Sequence, residues 1–214
     1  MKTRLLARWI GGAALIALLA PGADTIAQER RIMSPPGRSA TQVGGTYFDP
    51  VRGFVNDQWI EIRYGRPLRR GRDIFGLEDY QEALNDGAPV WRAGANQTTQ
   101  LITDVPLTIA GTRVEAGTYT VFIDLAPTPW ELVLSSWEAQ TIYDEGNRRA
   151  LWGAYEYSAD RDVLRAPMTV DALPWSMDQL SWQFLDVTET GGRLAMLWDD
   201  TIASVSFTLA EPGC

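Results

Sequence analysis

The sequence predicts an all-β fold, a single-domain antiparallel β-sandwich of jelly-roll-like design with one or two short helices in its connections. Apolar and polar residues alternate along many short segments, which is typical of strands that bury one face. Glycine, proline and aspartate separate these segments, so most connections are predicted to be short turns. The segments number about nine or ten, which suits two antiparallel layers around one core.

In each alternating segment, the apolar residues define the face of the predicted strand that we expect to be buried. Turns at Ala110–Thr112 and Thr190–Arg193 are predicted to be hairpin loops between such strands. The residues that share a face are, in chain order, Ile60, Ile62 and Tyr64; Tyr119, Val121 and Ile123; Trp130, Leu132 and Leu134; Leu180, Trp182 and Phe184; Leu194, Met196 and Trp198; and Val205, Phe207 and Leu209.

Two segments favour helix over strand. Apolar residues recur at helical spacing within Leu77–Asn85, and Gly87 is suited to end that helix. Ser136–Asn147 is a weaker second candidate. Both would lie in connections between strands.

The chain is predicted to divide into a signal peptide at residues 1–27, an extended N-terminal leader at 28–57 and the sandwich domain at 58–214. Three basic residues precede an apolar run, and small residues follow it, which is the pattern of a secretory signal. That run is too short to span a bilayer comfortably, which disfavours the alternative of an uncleaved anchor. We therefore expect an exported protein, periplasmic or extracellular, that has no membrane association once the signal is cleaved.

Composition excludes several classes of chemistry. The chain has no histidine, Lys2 is its only lysine and Cys214 its only cysteine. This composition excludes histidine triads, lysine Schiff bases, intramolecular disulfides and thiolate or imidazole metal sites. We therefore expect neither a metal nor a cofactor. The net charge of −8 argues against nucleic acid as a partner, because phosphates require a basic surface. Oligomeric state and the role of Cys214 stay open.

The segment from Trp59 to Phe122 is the best candidate for a site, because arginine, tryptophan and asparagine sit there beside turn-forming residues. Guanidinium groups suit carboxylate, phosphate or sulfate, and an indole beside an arginine can form a stacking platform. The competing interpretation is a structural corner whose polar groups bond to strand ends. The candidate ligand-binding residues are Tyr64, Arg66, Arg72, Trp91, Arg92, Asn96, Thr99 and Tyr119.

Tryptophans and acidic pairs provide weaker signals. Trp130, Trp182 and Trp198 lie in alternating strand positions and are expected in the core. Three others lie outside clear strands and are candidates for an exposed platform: Trp137, Trp152 and Trp175. The local acidic pairs match no calcium loop and are interpreted mainly as solvated turns: Glu78-Asp79, Asp160-x-Asp162 and Asp199-Asp200.

Four linked motifs of this segment form one recognisable pattern: Tyr64-x-Arg66-Pro67, Gly71-Arg72-x-Ile74-Phe75-Gly76, Val90-Trp91-Arg92-x-Gly94-Ala95-Asn96-x-x-Thr99 and Ala116-Gly117-Thr118-Tyr119. Together they resemble an exported bacterial family known as domain of unknown function 2911, with weaker similarity at Trp130 and Asp162-Val163-x-Arg165. The resemblance extends over residues 32–209 and implies a compact, mostly antiparallel β-domain without an established activity. Gln97 and Ser135 depart from the family pattern, which often has an acidic residue and an asparagine there.

Three functions follow from these observations. The first is a small-ligand binding module, for an anion or a carbohydrate, with a pocket of arginine, tryptophan and asparagine. The second is an envelope hydrolase that depends on carboxylates or tyrosines, because no histidine is present. The third is a structural or protein-interaction module in which the same residues only brace the loops.

Overall fold

Strands account for most of the chain in the computed structural model, which describes residues 33–51 and 53–210, with the side chains of 44–49 and 53–57 outside the description. The predicted signal peptide and Cys214 lie outside the described residues and stay predictions. Within the described part of the chain, no helix is long and apolar enough to cross a membrane.

The described residues form twelve strands, one short α-helix and one 3₁₀ turn. In chain order these are β1 (Pro36–Asp49), β2 (Gly53–Gly65), α1 (Tyr80–Asn85), β3 (Thr99–Thr103), β4 (Leu107–Ile109), β5 (Thr112–Val114), β6 (Gly117–Asp124), β7 (Glu131–Ser135), β8 (Glu138–Ala139), β9 (Ala150–Leu151), the 3₁₀ turn (Ala159–Arg161), β10 (Asp162–Pro167), β11 (Thr169–Leu185) and β12 (Gly191–Leu209).

The strands form two large antiparallel sheets and one small parallel pair. Six strands make one sheet in the order β1-β2-β3-β6-β7-β10, and four make the other in the order β11-β12-β4-β5. The remaining strands, β8 and β9, pair in parallel. The chain leaves the six-stranded sheet after β3 to form β4 and β5, leaves it after β7 to form β8 and β9, and leaves it finally after β10.

The main core lies between the two large sheets and confirms the predicted sandwich. Apolar side chains from both sheets share one cluster, including Ile62 and Leu132 from one sheet and Met196 and Phe207 from the other. The faces predicted from alternation are buried as expected, with only Tyr119, Phe184 and Leu209 partly buried against the cluster. The predicted core tryptophans are also confirmed, since Trp130, Trp182 and Trp198 are all buried.

A second, smaller core covers part of the outer face of the six-stranded sheet. Phe122 of β6 and Val133 of β7 lie opposite each other there and pack against Leu151, Ala154 and Tyr157. These three residues belong to the segment 136–161, which folds back over the sheet. The outer face of β6 and β7 is therefore apolar, unlike the usual solvated face of a sandwich.

The helix predicted at Ser136–Asn147 is wrong. This region holds the short strand β8 and a loop whose backbone bonds to one side chain. The Gln140 amide donates to the carbonyls of Asp144, Asn147 and Ala150, and its oxygen accepts the Asp144 N–H. A side chain that satisfies the backbone in this way competes with helical hydrogen bonds.

The other predicted helix is present but shorter, spanning Tyr80–Asn85 instead of Leu77–Asn85. The Asp73 carboxylate accepts the Gly76 N–H at 2.8 Å and forms a turn just upstream, so helical geometry begins late. Gly87, with φ of 80°, follows the last helical turn as predicted.

The predicted hairpin loop at Ala110–Thr112 is confirmed, whereas the loop before β12 ends earlier than predicted, because Gly191 already belongs to that strand.

The prediction that residues 28–57 carry little regular structure is wrong where they are described. Pro36–Asp49 is strand β1, which pairs antiparallel with β2 at the edge of the six-stranded sheet. Two register shifts flank Gly44, so glycines that suggested a loop instead mark bulges within a strand. The Ser39 hydroxyl donates to the Trp182 carbonyl, a contact between the two sheets that no local pattern reveals.

Charged residues occupy the part of the outer face that the segment 136–161 leaves uncovered. Arg38 of β1 lies directly opposite Arg63 of β2, and both form ion pairs with Glu61. Burial alone would raise the pKa of Glu61, but the hydrogen bonds from the two arginines outweigh it and lower the pKa below its ordinary value of 4.5. Glu61 is thus a carboxylate whose charge the folded state favours.

The Trp182 indole provides the polar link at the centre of the main core. Its Nε1 donates to the carbonyl of Ala93 at 2.9 Å, and both residues are fully buried. We expect Trp182→Phe to destabilise the fold by about 1–3 kcal/mol, because the Ala93 carbonyl loses its better partner inside the core. Urea unfolding would measure this. Trp175→Phe, at an exposed position, should change stability by less than about 0.5 kcal/mol; equal effects of the two variants would contradict the role of the indole N–H.

The lowered pKa of Glu61 predicts that its contribution to the free energy of unfolding is lost in acid. Because its pKa is lowered by folding, its contribution to stability is fully present above pH 4.5 and is lost as the pH falls through the lower folded-state value. The difference in unfolding free energy between wild type and Glu61→Gln should therefore shrink on acidification below that pH. In the background Arg38→Gln/Arg63→Gln this shrinkage should disappear or reverse, because burial alone raises the pKa of Glu61. A difference that stays constant down to pH about 3 would contradict the prediction.

Candidate functional site

Three segments meet at one end of the sandwich: residues 33–37, the arginine loop at 66–72 and the tryptophan loop at 91–98. The Arg66 N–H donates to the Pro35 carbonyl, and the Asn96 side chain donates to the Ser34 carbonyl, both at 3.0 Å. The Leu180 N–H of β11 donates to the Pro67 carbonyl, also at 3.0 Å. The loops predicted to carry the site are thus brought together and tied to both sheets.

The tryptophan loop turns its aromatic residue inward. Trp91 is only 1% exposed and stacks on Trp198, with ring centres 6.0 Å apart and planes 17° from parallel. Its backbone pairs with Ile123 through two hydrogen bonds of 2.9 Å. Thr99 is also fully buried and donates to the Ala93 carbonyl. Neither Trp91 nor Thr99 can contact a ligand at the surface, so their predicted roles are corrected to core packing.

Close backbone packing explains the glycines of this region. A Cβ added at Gly65 would lie 1.8 Å from the carbonyl oxygen of Ala95, a distance that no side chain can accept. The glycine therefore allows the tryptophan loop to approach the end of β2. It admits another part of the backbone here, not a ligand.

Asn96 and Arg92 act as braces. Asn96 takes the left-handed conformation, with φ of 61°, which asparagine tolerates better than most residues. From there its amide reaches the carbonyl of Ser34. Arg92 lies half-buried, with Nη2 3.7 Å from the Asp86 carboxylate, and its Nε is buried without a partner among the described residues.

Tyr64 and Arg66 both lie beside Gly37, whereas Tyr119 makes its own contacts on β6. Tyr64 is buried, and its hydroxyl donates to the Trp182 carbonyl at 3.4 Å. Arg66 packs its stem over Gly37, and its Nε has no partner among the described residues. The Tyr119 hydroxyl donates to the Glu115 carbonyl at 2.9 Å, and burial together with the Glu115 charge raises the pKa of Tyr119 above 10.0.

The arginine loop is built around a buried carboxylate. Asp199 of β12 is buried and forms an ion pair with Arg69 at 2.7 Å. The same carboxylate accepts the Ile74 N–H and the Ser176 hydroxyl, each at 3.1 Å. The interpretation of Asp199 as part of a solvated turn is therefore wrong, because three donors hold it inside the fold.

Arg72 is fixed by neutral groups instead. Its Nε donates to the Arg69 carbonyl at 2.9 Å and its Nη2 to the Leu68 carbonyl at 2.6 Å. No ion pair joins Arg72 to a carboxylate among the described residues. The guanidinium plane is thus held in place while its charge remains unneutralised.

A cavity of about 390 Å³ opens beside this guanidinium. Its described lining contains two arginines, one hydroxyl, an apolar wall and no carboxylate: Met33, Ser34, Pro67, Leu68, Arg70 and Arg72. The Arg70 side chain has one described contact, from Nη1 to the Met33 sulfur at 3.9 Å. Of the eight predicted site residues, Arg72 alone lines this cavity. Arg70 belongs to the same arginine cluster, but which arginine faces the cavity depends on the fold of the loop and not on a local pattern.

A second polar cluster lies at the edge strand β10. The Tyr157 hydroxyl donates to Asp162 at 2.6 Å, and Arg165 donates to both residues and to Asp124. Burial raises the pKa of the Tyr157 hydroxyl well above its ordinary value, and the hydrogen bond to Asp162 adds to this. Asp162 is therefore no solvated turn, and Tyr157 is a fixed donor that joins the segment 136–161 to the sheet.

The three tryptophans proposed as an exposed platform differ in exposure. Trp175 is 58% exposed, as that prediction requires. Trp137 is half-buried with Arg161 stacked 3.8 Å from its ring centre, and Trp152 is half-buried against Tyr143. They do not form one common surface. Among the described residues, no group of three or more acidic or thiol side chains could hold a metal ion.

The family model described as "Protein of unknown function (DUF2911)" matches residues 49–207. The chain belongs to the DUF2911 family. No curated protein and no solved structure matches it. The resemblance seen in the loop motifs is confirmed, and many of those DUF2911 motif residues in this chain pack, brace or allow close backbone approach.

Asn96 allows the brace to be tested. Asn96→Gly keeps the left-handed conformation accessible and should cost about 1 kcal/mol for the lost hydrogen bond to Ser34. Asn96→Ala should cost about a further 1 kcal/mol, because alanine is strained at φ of 61°. Chemical denaturation gives both values. In either variant the Arg66 amide, which bonds to Pro35, should exchange its hydrogen faster; unchanged exchange would show that Asn96 does not hold the segment 33–37.

Proposed function

We propose that this DUF2911 protein is an exported binding module for a small anion, which it holds in the cavity beside the arginine loop. Export rests on the signal-like N-terminus, and the ligand class rests on the cavity. The proposal retains the predicted anionic ligand and replaces the predicted pocket of arginine, tryptophan and asparagine by a cavity with Arg70 and Arg72.

The orientation of Arg72 is the observation that carries the proposal. Two backbone carbonyls fix its guanidinium, so little side-chain entropy remains to be lost when a ligand binds. Carbonyls leave the full positive charge available, whereas an ion pair with a carboxylate would neutralise most of it. A preorganised, charged fork beside an open cavity is suited to a carboxylate, phosphate or sulfate.

The charge balance of the chain makes carboxylate partners abundant for its arginines. With a net charge of −8, carboxylates outnumber arginines, and Arg38, Arg63, Arg69 and Arg165 each pair with one. Arg70 and Arg72 form no ion pair with the described residues, although they are close in sequence. The lack of an ion pair costs the fold little, because exposed ion pairs contribute little to stability. Its consequence is that both charges are available to a ligand.

The cavity also constrains the ligand. A volume of about 390 Å³ lies at the lower end of the range for small-molecule sites. Pro67, Leu68 and Met33 offer an apolar wall next to the two guanidinium groups. A compact anion with a short apolar body fits this lining better than a bare inorganic ion.

The lining bears on the alternatives as well. A hydrolase of the predicted type needs a carboxylate or an activated tyrosine beside its substrate, and the described lining contains neither. The structural interpretation accounts for Trp91, Asn96 and Thr99, which brace the fold. It also gives Arg72 a bracing role, but it does not require the cavity that opens beside the unpaired charges of Arg70 and Arg72.

Binding of anions to paired variants tests the proposal. At fixed ionic strength, calorimetry with phosphate, sulfate, acetate, butyrate and hexanoate should detect binding, with affinity rising along the carboxylate series. Arg72→Gln should weaken binding by about tenfold or more, since a charge-assisted hydrogen bond is lost. Arg70→Gln, which removes only a long contact of 3.9 Å to the Met33 sulfur, should also weaken it.

Arg149→Gln is the matched control, because Arg149 is exposed and has no ion pair among the described residues. It should bind like the wild type. Equal affinity of Arg70→Gln, Arg72→Gln and the control would contradict the proposal, as would the absence of any bound anion in the wild type.

A further inference from the structure

A second cavity lies on the outer face of the six-stranded sheet, apart from the arginine loop. It is a groove of about 460 Å³ over β1, β2 and β3. Its floor includes Arg38, Arg63 and Gln100, and its walls include Gln97 and Thr141. None of the residues that line the arginine-loop cavity contributes to it.

The groove exists because the covering segment stops short of the sheet edge. Segment 136–161 covers the apolar outer face of β6 and β7 and leaves β1 to β3 open. Arg38, Arg63, Gln100 and Thr120 lie opposite one another on successive strands, in one row across the sheet. Thr120 is buried where the cover begins, so the open part of the row ends at Gln100. Because neighbouring strands are about 4.8 Å apart, this open part spans about 10 Å.

Two arginines directly opposite each other on paired strands repel, which costs stability unless a third group relieves it. Glu61 provides that relief through ion pairs with both. The Glu61 side chain is 9% exposed, whereas those of Arg38 and Arg63 are 66% and 57% exposed. The carboxylate is therefore sheltered in the floor, and the two guanidinium groups face the solvent with fixed positions and a net charge of one.

The remaining polar groups of the groove are available to a ligand. The side chains of Gln97, Gln100 and Thr141 have no hydrogen-bond partner among the described residues. Each can donate and accept, as sugar hydroxyls require. The lining thus combines hydroxyl-binding groups with two guanidinium groups on a rigid floor.

We propose that this groove binds a short glycan that carries carboxylates, with Arg38 and Arg63 contacting the carboxylates and Gln97, Gln100 and Thr141 contacting the hydroxyls. Glu61 is a positioning residue, which holds both guanidinium groups without contacting the ligand. This site is additional to the small-anion site and does not depend on it.

The location on a sheet face favours a glycan over a peptide. Extended peptides are commonly bound by pairing with an open strand edge, where backbone groups are unsatisfied. In the groove, the backbone groups of β2 and β3 are already paired with neighbouring strands. Over β2 and β3, recognition must therefore come from side chains, which suits a ligand rich in hydroxyls and carboxylates.

Binding of defined oligosaccharides tests the proposal. Trigalacturonate and a hyaluronan tetrasaccharide would be titrated into the full chain without its signal peptide, with methyl-esterified trigalacturonate as the uncharged probe. We expect one of the acidic glycans to bind and the methyl ester to bind about tenfold or more weakly. Arg38→Gln, Arg63→Gln and Gln100→Ala should each weaken binding of the acidic glycan, and added salt should weaken it too.

Arg193→Gln is the matched control, because Arg193 forms an exposed ion pair with Asp186 on the other sheet. It should leave glycan affinity unchanged, as should Arg70→Gln and Arg72→Gln, which separates this site from the anion cavity. Melting temperatures would show that each variant is folded. Failure of both acidic glycans to bind would overturn the proposal. So would Arg38→Gln and Arg63→Gln variants that bind the glycan as tightly as the wild type does.

Glu61→Gln distinguishes positioning from simple electrostatics. Removing a negative charge from the groove would strengthen binding of an anion if charge alone mattered. If Glu61 positions the arginines, the variant should bind the glycan more weakly in spite of its higher positive charge. A glutamate tripeptide that binds as tightly as the glycans would overturn the assignment of the ligand class.

Discussion

The hydrogen bond from the Trp182 indole to the Ala93 carbonyl is the contact on which the arrangement of this domain depends. Ala93 is fully buried in the left-handed conformation, an unfavourable state for alanine that surrounding contacts must maintain. The Trp182 backbone carbonyl accepts the hydroxyl of Ser39, so one residue links the four-stranded sheet to the tryptophan loop and to the edge strand of the other sheet. Since a buried carbonyl needs a partner, this bond specifies how the loop sits against the core.

Once the tryptophan loop is held in this way, the chemistry available at that end of the sandwich changes. Trp91 becomes part of the core, and the exposed Asn96 side chain is held by backbone carbonyls at the surface. The buried Asp199 takes one arginine of the neighbouring loop, while loop carbonyls orient Arg72 without neutralising it. Unpaired positive charge beside a cavity is thus a consequence of how the loop closes on β12.

The sequence predicts the sandwich and the buried faces well because alternation is local: Ile60 and Ile62 show their burial within a few residues. It fails where the deciding partner is distant. Ser39 bonds to Trp182, 143 positions away, and this contact secures a strand that glycines and prolines disguise as a leader. At the site, residue types predict an arginine cluster, but which arginines line the cavity depends on how the loop folds. Glycines in this segment indicate turns, but only the fold shows that the group approaching Gly65 is the backbone of Ala95.

The two ways of fixing an arginine in this protein have different consequences for recognition. Arg72 is held by neutral carbonyls and keeps a full charge at one point, which suits a single compact anion. Arg38 and Arg63 are held by a shared carboxylate, so one net charge is spread over two forks on neighbouring strands. In the binding proposed for the groove, attraction is therefore weaker per arginine, and selectivity would come from spacing and from hydroxyl contacts. In an acidic chain, where long-range attraction of anions is absent, such short-range geometry is what can recognise an anionic ligand.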